Sequence, residues 1–321
     1  MGVEPDLTGS DLGPYDRLES VDFVRGDPET TNFKRRARLH QSQWRERLGI
    51  ASGTQPMRPT SKNPGRYIGS RIALDRAYER SENFISHAAL EAAKYRVAYK
   101  EPHQMLNVDR LYSDLLSSMP MCFNLFGNLH ADLTLADKAI KTWWPDTPGK
   151  VSAVRFEWSP LRNTPGKFLG KRSAFDVSFE LDMGDGTLGV LGVETKYHED
   201  CKPEAAPHPE KRLPRYTEVT NTSGVFLPRA LEAILGTQLQ QIWLDHLLAL
   251  SMLQHIPLKW TWAKFILVHP RRNPSYARAA DKYQQQLKDS SSFDVVTIES
   301  LLEAGVLPSE LVHKFTERYL W

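Results

Sequence analysis

Residues 174–197, AFDVSFELDMGDGTLGVLGVETKY, are typical of two β-strands joined by a tight turn. The first half alternates apolar and polar side chains, the second half is an apolar run that ends in charged residues, and Gly-Asp-Gly between them is a hairpin turn signal. If Asp182 pairs with Leu188 across the turn, antiparallel register places Asp176 opposite Glu194. We therefore predict a hairpin whose open end carries two facing carboxylates.

Glu194 and Lys196 lie two residues apart, so both side chains leave one face of their strand, and Asp176 shares that face by parity. Facing Cβ atoms lie about 4.5–5.5 Å apart, which is close enough for two carboxylates to repel each other. Oxygen ligands at this separation suit Mg²⁺ or Mn²⁺. The pattern predicts metal-dependent phosphodiester hydrolysis, in which the ion and Lys196 hold the attacking water and stabilise the developing negative charge.

Signals on either side of the hairpin predict an α/β core. Residues 108–119 are expected to form an amphipathic helix that is interrupted or kinked at Pro120, and residues 151–158 a strand. After the hairpin, residues 227–253 predict a long apolar helix, and residues 262–270 predict a central strand. The resulting order αβββαβ, with the last strand reached through a helical crossover, predicts a mixed sheet flanked by helices.

The N-terminal residues 1–104 are expected to form a separate, mostly helical region behind an irregular arm over residues 1–30. We expect a linker over 51–66 and helix over 70–100. A basic patch lies at 33–48, in a helix for which Gly49 is a plausible stop. Its cations are Lys34, Arg35, Arg36, Arg38, Arg45 and Arg47. The patch fits either a solvated helix face or a surface that contacts nucleic-acid phosphates.

The composition is that of a globular protein. Of 321 residues, 40% are hydrophobic and 25% charged, and the net charge of only +2 means that nucleic-acid binding must rest on local patches. Two cysteines form no disulfide framework and fit a reducing compartment. With neither a signal peptide nor a membrane-spanning run recognisable, we expect a cytoplasmic protein without membrane partners.

The hairpin and its surroundings resemble the PD-(D/E)XK nuclease superfamily. In amino-acid sequence the chain also resembles a group of bacterial stand-alone proteins related to these nucleases. A Glu-x-Lys tripeptide is expected by chance in a chain of this composition, so the tripeptide alone carries little information. Its position at the end of a hairpin, within an αβββαβ order of elements, carries the resemblance. The similar passages, within about residues 105–285, are SSMPMCFNLFG, FEWSP, KRSAFDVSFEL, GVETKYHED, RYTEV and LQQIWLDHLLAL. The resemblance implies an α/β (α+β) restriction-endonuclease-like core in a nuclease-like domain at 105–321.

The resemblance also implies roles for individual residues. Asp176 corresponds to the first acid, and Glu194 and Lys196 to the second motif, while the main-chain carbonyl of Thr195 is a further metal ligand. The implied cofactor is Mg²⁺ or Mn²⁺, and the implied substrate is nucleic acid, DNA rather than RNA. The oligomeric state stays open, with a homodimer among the alternatives, and so does a non-catalytic nucleic-acid-binding or partner-recruiting module on the same fold.

Two further polar positions have competing interpretations. Glu157 shares the polar face of its strand with Arg155, so it fits either an Arg-Glu pair at a sheet edge or a functional role, as a third acidic metal ligand or a water-positioning group. Gln241 belongs to a polar stripe on an apolar helix. It fits either capping of buried polar groups or the glutamine that several families of the superfamily place near the metal or the nucleic-acid backbone. Those families often carry an aromatic residue four positions later, where this chain has Asp245.

Overall fold

A computed structural model describes residues 32–55, 65, 67–170, 173–255 and 260–321. The predicted arm and most of the predicted linker lie outside the described residues. The strands are β1 (Ser52–Thr54), β2 (Tyr67–Ile72), β3 (Lys150–Trp158), β4 (Phe175–Asp182), β5 (Leu188–Thr195), β6 (Trp260–His269) and β7 (Phe293–Thr297).

Helices surround the strands and join them. In the N-terminal half they are α1 (Asn32–Arg47), α2 (Leu74–Arg80), α3 (His87–Ala98), α4 (Val108–Ser113), α5 (Ser118–Ala131) and α6 (Leu133–Trp143). In the C-terminal half they are α7 (Leu213–Thr222), α8 (Ala230–Ile234), α9 (Gln240–Leu253), α10 (Pro274–Gln284), α11 (Ile298–Glu303) and α12 (Ser309–Tyr319). None of the helices within the described ranges is long and apolar enough to span a bilayer.

A five-stranded mixed sheet in the order β3-β4-β5-β6-β7 forms the centre of the fold. Strands β3, β4 and β5 are antiparallel, whereas β6 runs parallel to β5, and β7 runs parallel to β6. The connection from β5 to β6 passes through α7, α8 and α9, as a parallel crossover requires. The predicted αβββαβ order and the restriction-endonuclease-like fold class are confirmed.

The β4–β5 hairpin has the register that the turn predicted. Asp182 pairs with Leu188, and the ladder continues to Val177 opposite Val193. Gly184 and Gly186 in the turn have φ values of 83° and 80°, which side chains with a Cβ rarely adopt. The turn therefore determines the register locally, and the ladder stops just before the acidic end of the hairpin.

Both faces of the sheet are buried, each under its own group of helices. Val177, Phe179 and Val193 pack into a first apolar cluster with α1–α6, α11 and α12. Val190 and Phe265 pack on the opposite face into a second cluster with α7–α10. This double coverage explains why β5 is apolar on both faces up to Glu194, and why residues 265–268 of β6 are apolar on both faces.

The basic segment forms α1 and ends before Gly49, whose φ is 64°, as predicted. The expectation of continuous helix over 70–100 is wrong in part, because Tyr67–Ile72 is a strand paired with Ser52–Thr54. Packing decides this, since α1 lies so close to Gly69 that any Cβ there would clash with Ser42. The first cluster contains residues from both sides of position 104, and the domain boundary there stays a prediction.

Two predicted helices are divided differently from the expectation. The segment before the hairpin breaks at 114–117, between α4 and α5, and Pro120 lies in the first turn of α5, where its missing N–H costs little. The predicted helix over 227–253 is split into α8 and α9, with Gly236 at a φ of 71° between them. Proline and glycine thus mark helix ends here.

Candidate active site

The open end of the β4–β5 hairpin brings together Asp176, Glu194 and Lys196. Lys196 Nζ lies 2.6 Å from Glu194 Oε1, and both side chains are largely buried, with 10% and 13% of their surface exposed. Thr195, between them in sequence, donates from its main-chain N and from Oγ1 to Asp176 Oδ2, at 2.8 and 2.7 Å. The three predicted residues therefore meet at the carboxyl end of β5, where Glu194 is bonded to Lys196, and Asp176 to the Thr195 between them.

Burial dominates the electrostatics of the Glu194–Lys196 pair. It raises the pKa of Glu194 well above its ordinary value, and the nearby negative charge of Asp176 adds to this effect. Burial alone would lower the pKa of Lys196, but Glu194, together with Tyr276 and Asp176, raises it well above its usual range. Glu194 and Lys196 therefore form a buried ion pair in which each charge stabilises the other, whereas burial opposes both charges.

The pKa of Asp176 is also raised. Burial raises its pKa, while the charge of Lys196 and the two donors of Thr195 act in the opposite direction. A cation placed near Asp176 and Glu194 would relieve the desolvation and the repulsion that raise both pKa values.

Glu157, at the end of β3, lies on the neighbouring strand beside Asp176. Its backbone has a φ of 49°, and its carbonyl accepts hydrogen bonds from Arg162 Nη2 at 2.5 Å and from Gln104 Nε2 at 3.2 Å. Burial, with the charge of Asp176, raises the pKa of Glu157 to about 8. Glu157 is therefore close enough to Asp176 to belong to the same group of acids as Asp176 and Glu194.

The unusual backbone at Glu157 also changes the side-chain pattern. The predicted face of Val154, Phe156 and Trp158 is broken, because Trp158 packs with Phe175 against the second cluster instead of the first. Arg155 pairs with Glu180, at 3.4 Å, rather than with Glu157. The strand-edge pair considered for Arg155 and Glu157 is therefore replaced by a different pair.

Helix α9 lies over the face that carries the acids. The neighbour Gln240 does the capping that was considered for Gln241: its Oε1 accepts from Gly236 N at 2.9 Å, and its Nε2 donates to Ala205 O at 2.8 Å. Gln241 is half-buried one turn before Asp245. Asp245 is close enough to Glu194 to contribute to its raised pKa, so the position where the aromatic residue is missing carries another acid near the site.

Other groups around the site were not singled out from the sequence. Tyr276 on α10 places its ring centroid 5.8 Å from Lys196 Nζ. Burial alone would raise the pKa of Glu199, but His198, Lys196 and the Tyr197 N–H lower it overall, and Arg110 lies 3.9 Å from its carboxylate. Glu199 lies beyond the end of the strand, where residue parity no longer predicts the direction of a side chain. Its place in YHED, directly after the Glu-Thr-Lys motif, is the sequence signal that could have identified it.

The basic helix α1 borders the same end of the sheet. Lys34 Nζ lies 3.7 Å from Asp200 Oδ2, four residues beyond Lys196. Arg45 is buried and donates to the carbonyls of Gly69, at 2.8 Å, and Ile50, so its guanidinium joins α1 to the β1–β2 hairpin. The remaining cations are half-buried or exposed: Arg35, Arg36, Arg38 and Arg47.

The donor set fits a divalent cation bound mainly by oxygen. Asp176 and Glu194 supply carboxylates, and Thr195 lies beyond the last β4–β5 ladder pair, where its carbonyl is a candidate third ligand. Across the described ranges, no group of three or more His, Cys, Asp or Glu side chains has the geometry of a metal site. A set of two carboxylates and one carbonyl suits Mg²⁺, which keeps several of its waters in proteins.

Comparison with known proteins agrees with this geometry. A family model described as PD-(D/E)XK nuclease superfamily matches residues 28–321, which is nearly the whole chain and includes α1. Searches of curated proteins and of solved structures returned no match. The family match covers both the hairpin that carries Asp176, Glu194 and Lys196 and the helices on both sides of the sheet, and the chain therefore belongs to the PD-(D/E)XK nuclease superfamily.

Proposed function

We propose that this protein is a metal-dependent nuclease that hydrolyses phosphodiester bonds in DNA. One observation carries the proposal: the end of the hairpin buries Asp176, held by Thr195, close to the hydrogen-bonded Glu194–Lys196 pair, so that the charge of Asp176 acts on Glu194. Burying two carboxylates beside each other is costly unless a cation compensates, so the group has a physical reason to bind one. Membership of a nuclease superfamily supports the same reaction class.

Asp176, Glu194 and the main-chain carbonyl of Thr195 would hold Mg²⁺ or Mn²⁺, with Glu157 as a further acidic group beside them. The ion, when bound, polarises the scissile phosphate and lowers the pKa of a water. Thr195 orients Asp176 through two hydrogen bonds to one oxygen, so this ligand is positioned before any ion arrives. Gln241, half-buried on the helix over this face, would act near the metal or the nucleic-acid backbone.

Lys196 acts in this proposal as a fixed cation rather than as a base. Its pKa is raised well above the ordinary range by Glu194, although burial opposes the shift, so Lys196 stays protonated at neutral pH. A protonated amine cannot take a proton from water, but it donates hydrogen bonds to phosphate oxygens and stabilises the charge that develops on them. Lys196 therefore positions the phosphate and the attacking water by its charge.

The cations of α1 offer a surface for the DNA backbone next to this site. Lys34, Arg35, Arg36, Arg38 and Arg47 would contribute through their charges, which are sequence-independent. Arg45 would act indirectly, since its guanidinium holds α1 in place against Gly69 and Ile50. A contribution from this surface predicts that binding weakens as the salt concentration rises.

Cleavage assays with the full chain test the proposal. Plasmid and oligonucleotide DNA should be cut with Mg²⁺ or Mn²⁺ and left intact in EDTA. Lys196→Ala should lower the rate by about 10²- to 10³-fold, as expected for loss of one group that stabilises the transition state. Lys138→Ala is the matched control, because Lys138 is exposed on α6, and it should cut at the wild-type rate.

Two outcomes would overturn the proposal. Undiminished cleavage by Lys196→Ala would remove the assigned site, even if the protein cuts DNA. Binding to DNA that persists in EDTA, without cleavage in any divalent metal, would instead favour a non-catalytic nucleic-acid-binding module on the same fold.

A further inference from the structure

A groove of about 430 Å³ lies between α3 and the outer edge of β3, and we call it the β3 groove. Strand β3 is at the edge of the five-stranded sheet, so its outer side is not covered by another strand. The groove follows β3 from Ser152 to Trp158, roughly 20 Å of extended chain. None of the residues proposed for catalysis lines it.

Aromatic rings line the α3 side of the β3 groove. Tyr95 and Tyr99 are 54% and 65% exposed, and their ring centroids lie 4.7 Å apart. His130 adds a third ring, 5.9 Å from Tyr95, and Trp158 lies at one end of the groove. Exposed rings on a rigid helix offer flat surfaces onto which unpaired nucleobases can stack.

The charges in the groove suit an anionic chain. Arg96 and Arg155 line the groove with one acid, Glu101, which pairs with Arg162 at 2.9 Å. Arg155 is 45% exposed, and its pair with Glu180 at 3.4 Å is open to solvent, where such pairs are weak enough to be exchanged for a phosphate. Arg96 is only 9% exposed, and its Nε has no hydrogen-bond partner within the described part of the chain. Because this Nε is buried and Arg96 Nη2 donates to the main-chain carbonyl of Tyr99, a phosphate in the groove would meet the more exposed Arg155 instead.

The edge of β3 is less suited to an added peptide strand. His130 Nδ1 already lies 2.8 Å from the carbonyl oxygen of Val154, in the middle of the groove. A peptide that extends the sheet needs a row of free main-chain groups along the edge, and this contact interrupts the row.

The end of the groove adjoins the acidic site. Trp158 lines that end and directly follows Glu157 in the chain. Arg162 joins the two regions, because its Nε contacts Glu101 in the groove and its Nη2 donates to the carbonyl of Glu157 at 2.5 Å. The groove therefore ends next to Glu157, the acid on β3 whose carboxyl senses the charge of Asp176.

We propose that the β3 groove binds an unpaired nucleic-acid strand, with bases stacked on Tyr95 and Tyr99 and phosphates near Arg155. The inference rests on the proposed nuclease function and adds to it a substrate class, single-stranded segments. In duplex DNA the bases are stacked on one another and cannot stack on the two tyrosines, so duplex DNA should bind this groove only weakly.

Fluorescence anisotropy with the full chain in EDTA tests the inference without cleavage. The probe is a labelled twelve-nucleotide oligothymidylate. The double variant Tyr95→Ala/Tyr99→Ala should weaken binding by at least about 5-fold, since loss of even one stacked base lowers the affinity by roughly this factor or more. Tyr99→Phe keeps the ring and should bind like the wild type. Tyr67→Ala is the control, since Tyr67 is 63% exposed but lies on β2, outside the groove.

An abasic oligonucleotide of the same length separates stacking from simple charge. It should bind the wild type more weakly than oligothymidylate, and the double variant should not change its affinity. The inference is overturned if the double variant binds oligothymidylate as the wild type does, or if duplex DNA loses as much affinity as the single strand. Because no step of this assay needs cleavage, its result is independent of whether Lys196 supports catalysis.

Discussion

Thr195 holds Asp176 by two hydrogen bonds to the same carboxylate oxygen, one from its main-chain N at 2.8 Å and one from its hydroxyl at 2.7 Å. The strand ladder has already ended at Val177 and Val193. A side chain thus continues the pairing of β4 and β5 where main-chain pairing stops. Thr195 lies between Glu194 and Lys196, so the same contact connects both halves of the candidate site.

Thr195→Val should weaken this contact, because it removes the hydroxyl and keeps the size and the N–H. We expect the free energy of unfolding to fall by about 1–2 kcal/mol, and Mg²⁺-dependent cleavage to fall by about 10- to 100-fold. Urea denaturation and a DNA cleavage assay measure the two effects. Thr142→Val is the control, since Thr142 is exposed and its hydroxyl donates only to Lys138 O. Full cleavage by Thr195→Val would contradict the role of this contact.

The Glu194–Lys196 pair should show strong coupling in a double-mutant cycle. Lys196→Met leaves Glu194 buried without its partner at 2.6 Å, and such a loss costs about 3–5 kcal/mol. Adding Glu194→Gln removes the unpaired acid, so the double variant should recover much of the lost stability while remaining inactive. Urea denaturation in EDTA measures all four proteins. Additive effects of the two substitutions would show that the pair does not interact.

Magnesium should stabilise the folded protein, because burial and mutual repulsion raise the pKa of Glu194, and burial raises that of Asp176. At 100 times the dissociation constant, binding adds about 2.7 kcal/mol, which corresponds to several degrees in Tm. Asp176→Asn should abolish the shift, whereas Asp281→Asn, exposed on α10, should retain it. An equal shift in both variants would indicate binding elsewhere.

Glu157→Gln, measured in the same thermal experiment, decides whether Glu157 takes part in metal binding. Burial and the charge of Asp176 raise its pKa to about 8, so the apo protein carries it largely protonated at pH 7. If it is a ligand, Glu157→Gln should reduce the magnesium-induced shift in Tm. A full shift in this variant would remove Glu157 from the ligand set.

His246 should make the protein acid-sensitive. Its ring is buried within 2.9 Å of Tyr283 Oη and 3.0 Å of Ser292 Oγ, and burial lowers its pKa to about 3. In the unfolded chain His246 takes up a proton near pH 6.5, whereas in the folded protein it stays neutral at that pH. Stability is therefore lost as the pH falls from 6.5 towards 3, by about 1.4 kcal/mol per pH unit from this group.

Chemical denaturation between pH 7 and pH 4.5 tests this effect. His246→Gln should show a shallower loss of stability with falling pH than the wild type. His87→Gln should follow the wild type, because His87 is exposed at the start of α3. A pH dependence in His246→Gln as steep as in the wild type would assign the effect to other groups.

Arg318 joins the last helix to the first and should matter for stability rather than for catalysis. Its guanidinium is fully buried, donates to the main-chain and side-chain oxygens of Asn83, and lies 4.5 Å from the ring centroid of Trp44. Arg318→Lys keeps the charge but loses the planar two-pronged contact, and should cost about 2–3 kcal/mol.

Thermal unfolding compares Arg318→Lys with Arg278→Lys, a matched change at an exposed site on α10. We expect a lower Tm only for Arg318→Lys, with normal cleavage well below that Tm. An unchanged Tm would show that a lysine satisfies the same partners.

Local patterns in the sequence determined much of the fold. The Gly-Asp-Gly turn and strict alternation predicted the register of Asp182 with Leu188, because both depend on neighbours in the chain. The same local logic failed at β2, where helical spacing concealed a strand. Close packing of α1 on Gly69 decided that segment, and such a contact has no signal in a single periodic window.

The sequence by itself determined that Asp176, Glu194 and Lys196 share one end of a hairpin, because side-chain direction in a strand follows from counting residues. Only the tertiary structure decided that Thr195 holds Asp176, that Arg155 pairs with Glu180, and that Arg45 is buried. It also decided the pKa shifts, since helices distant in the chain exclude water from the acids. Partner choice and burial depend on how separate segments pack, whereas face and register depend on the local chain.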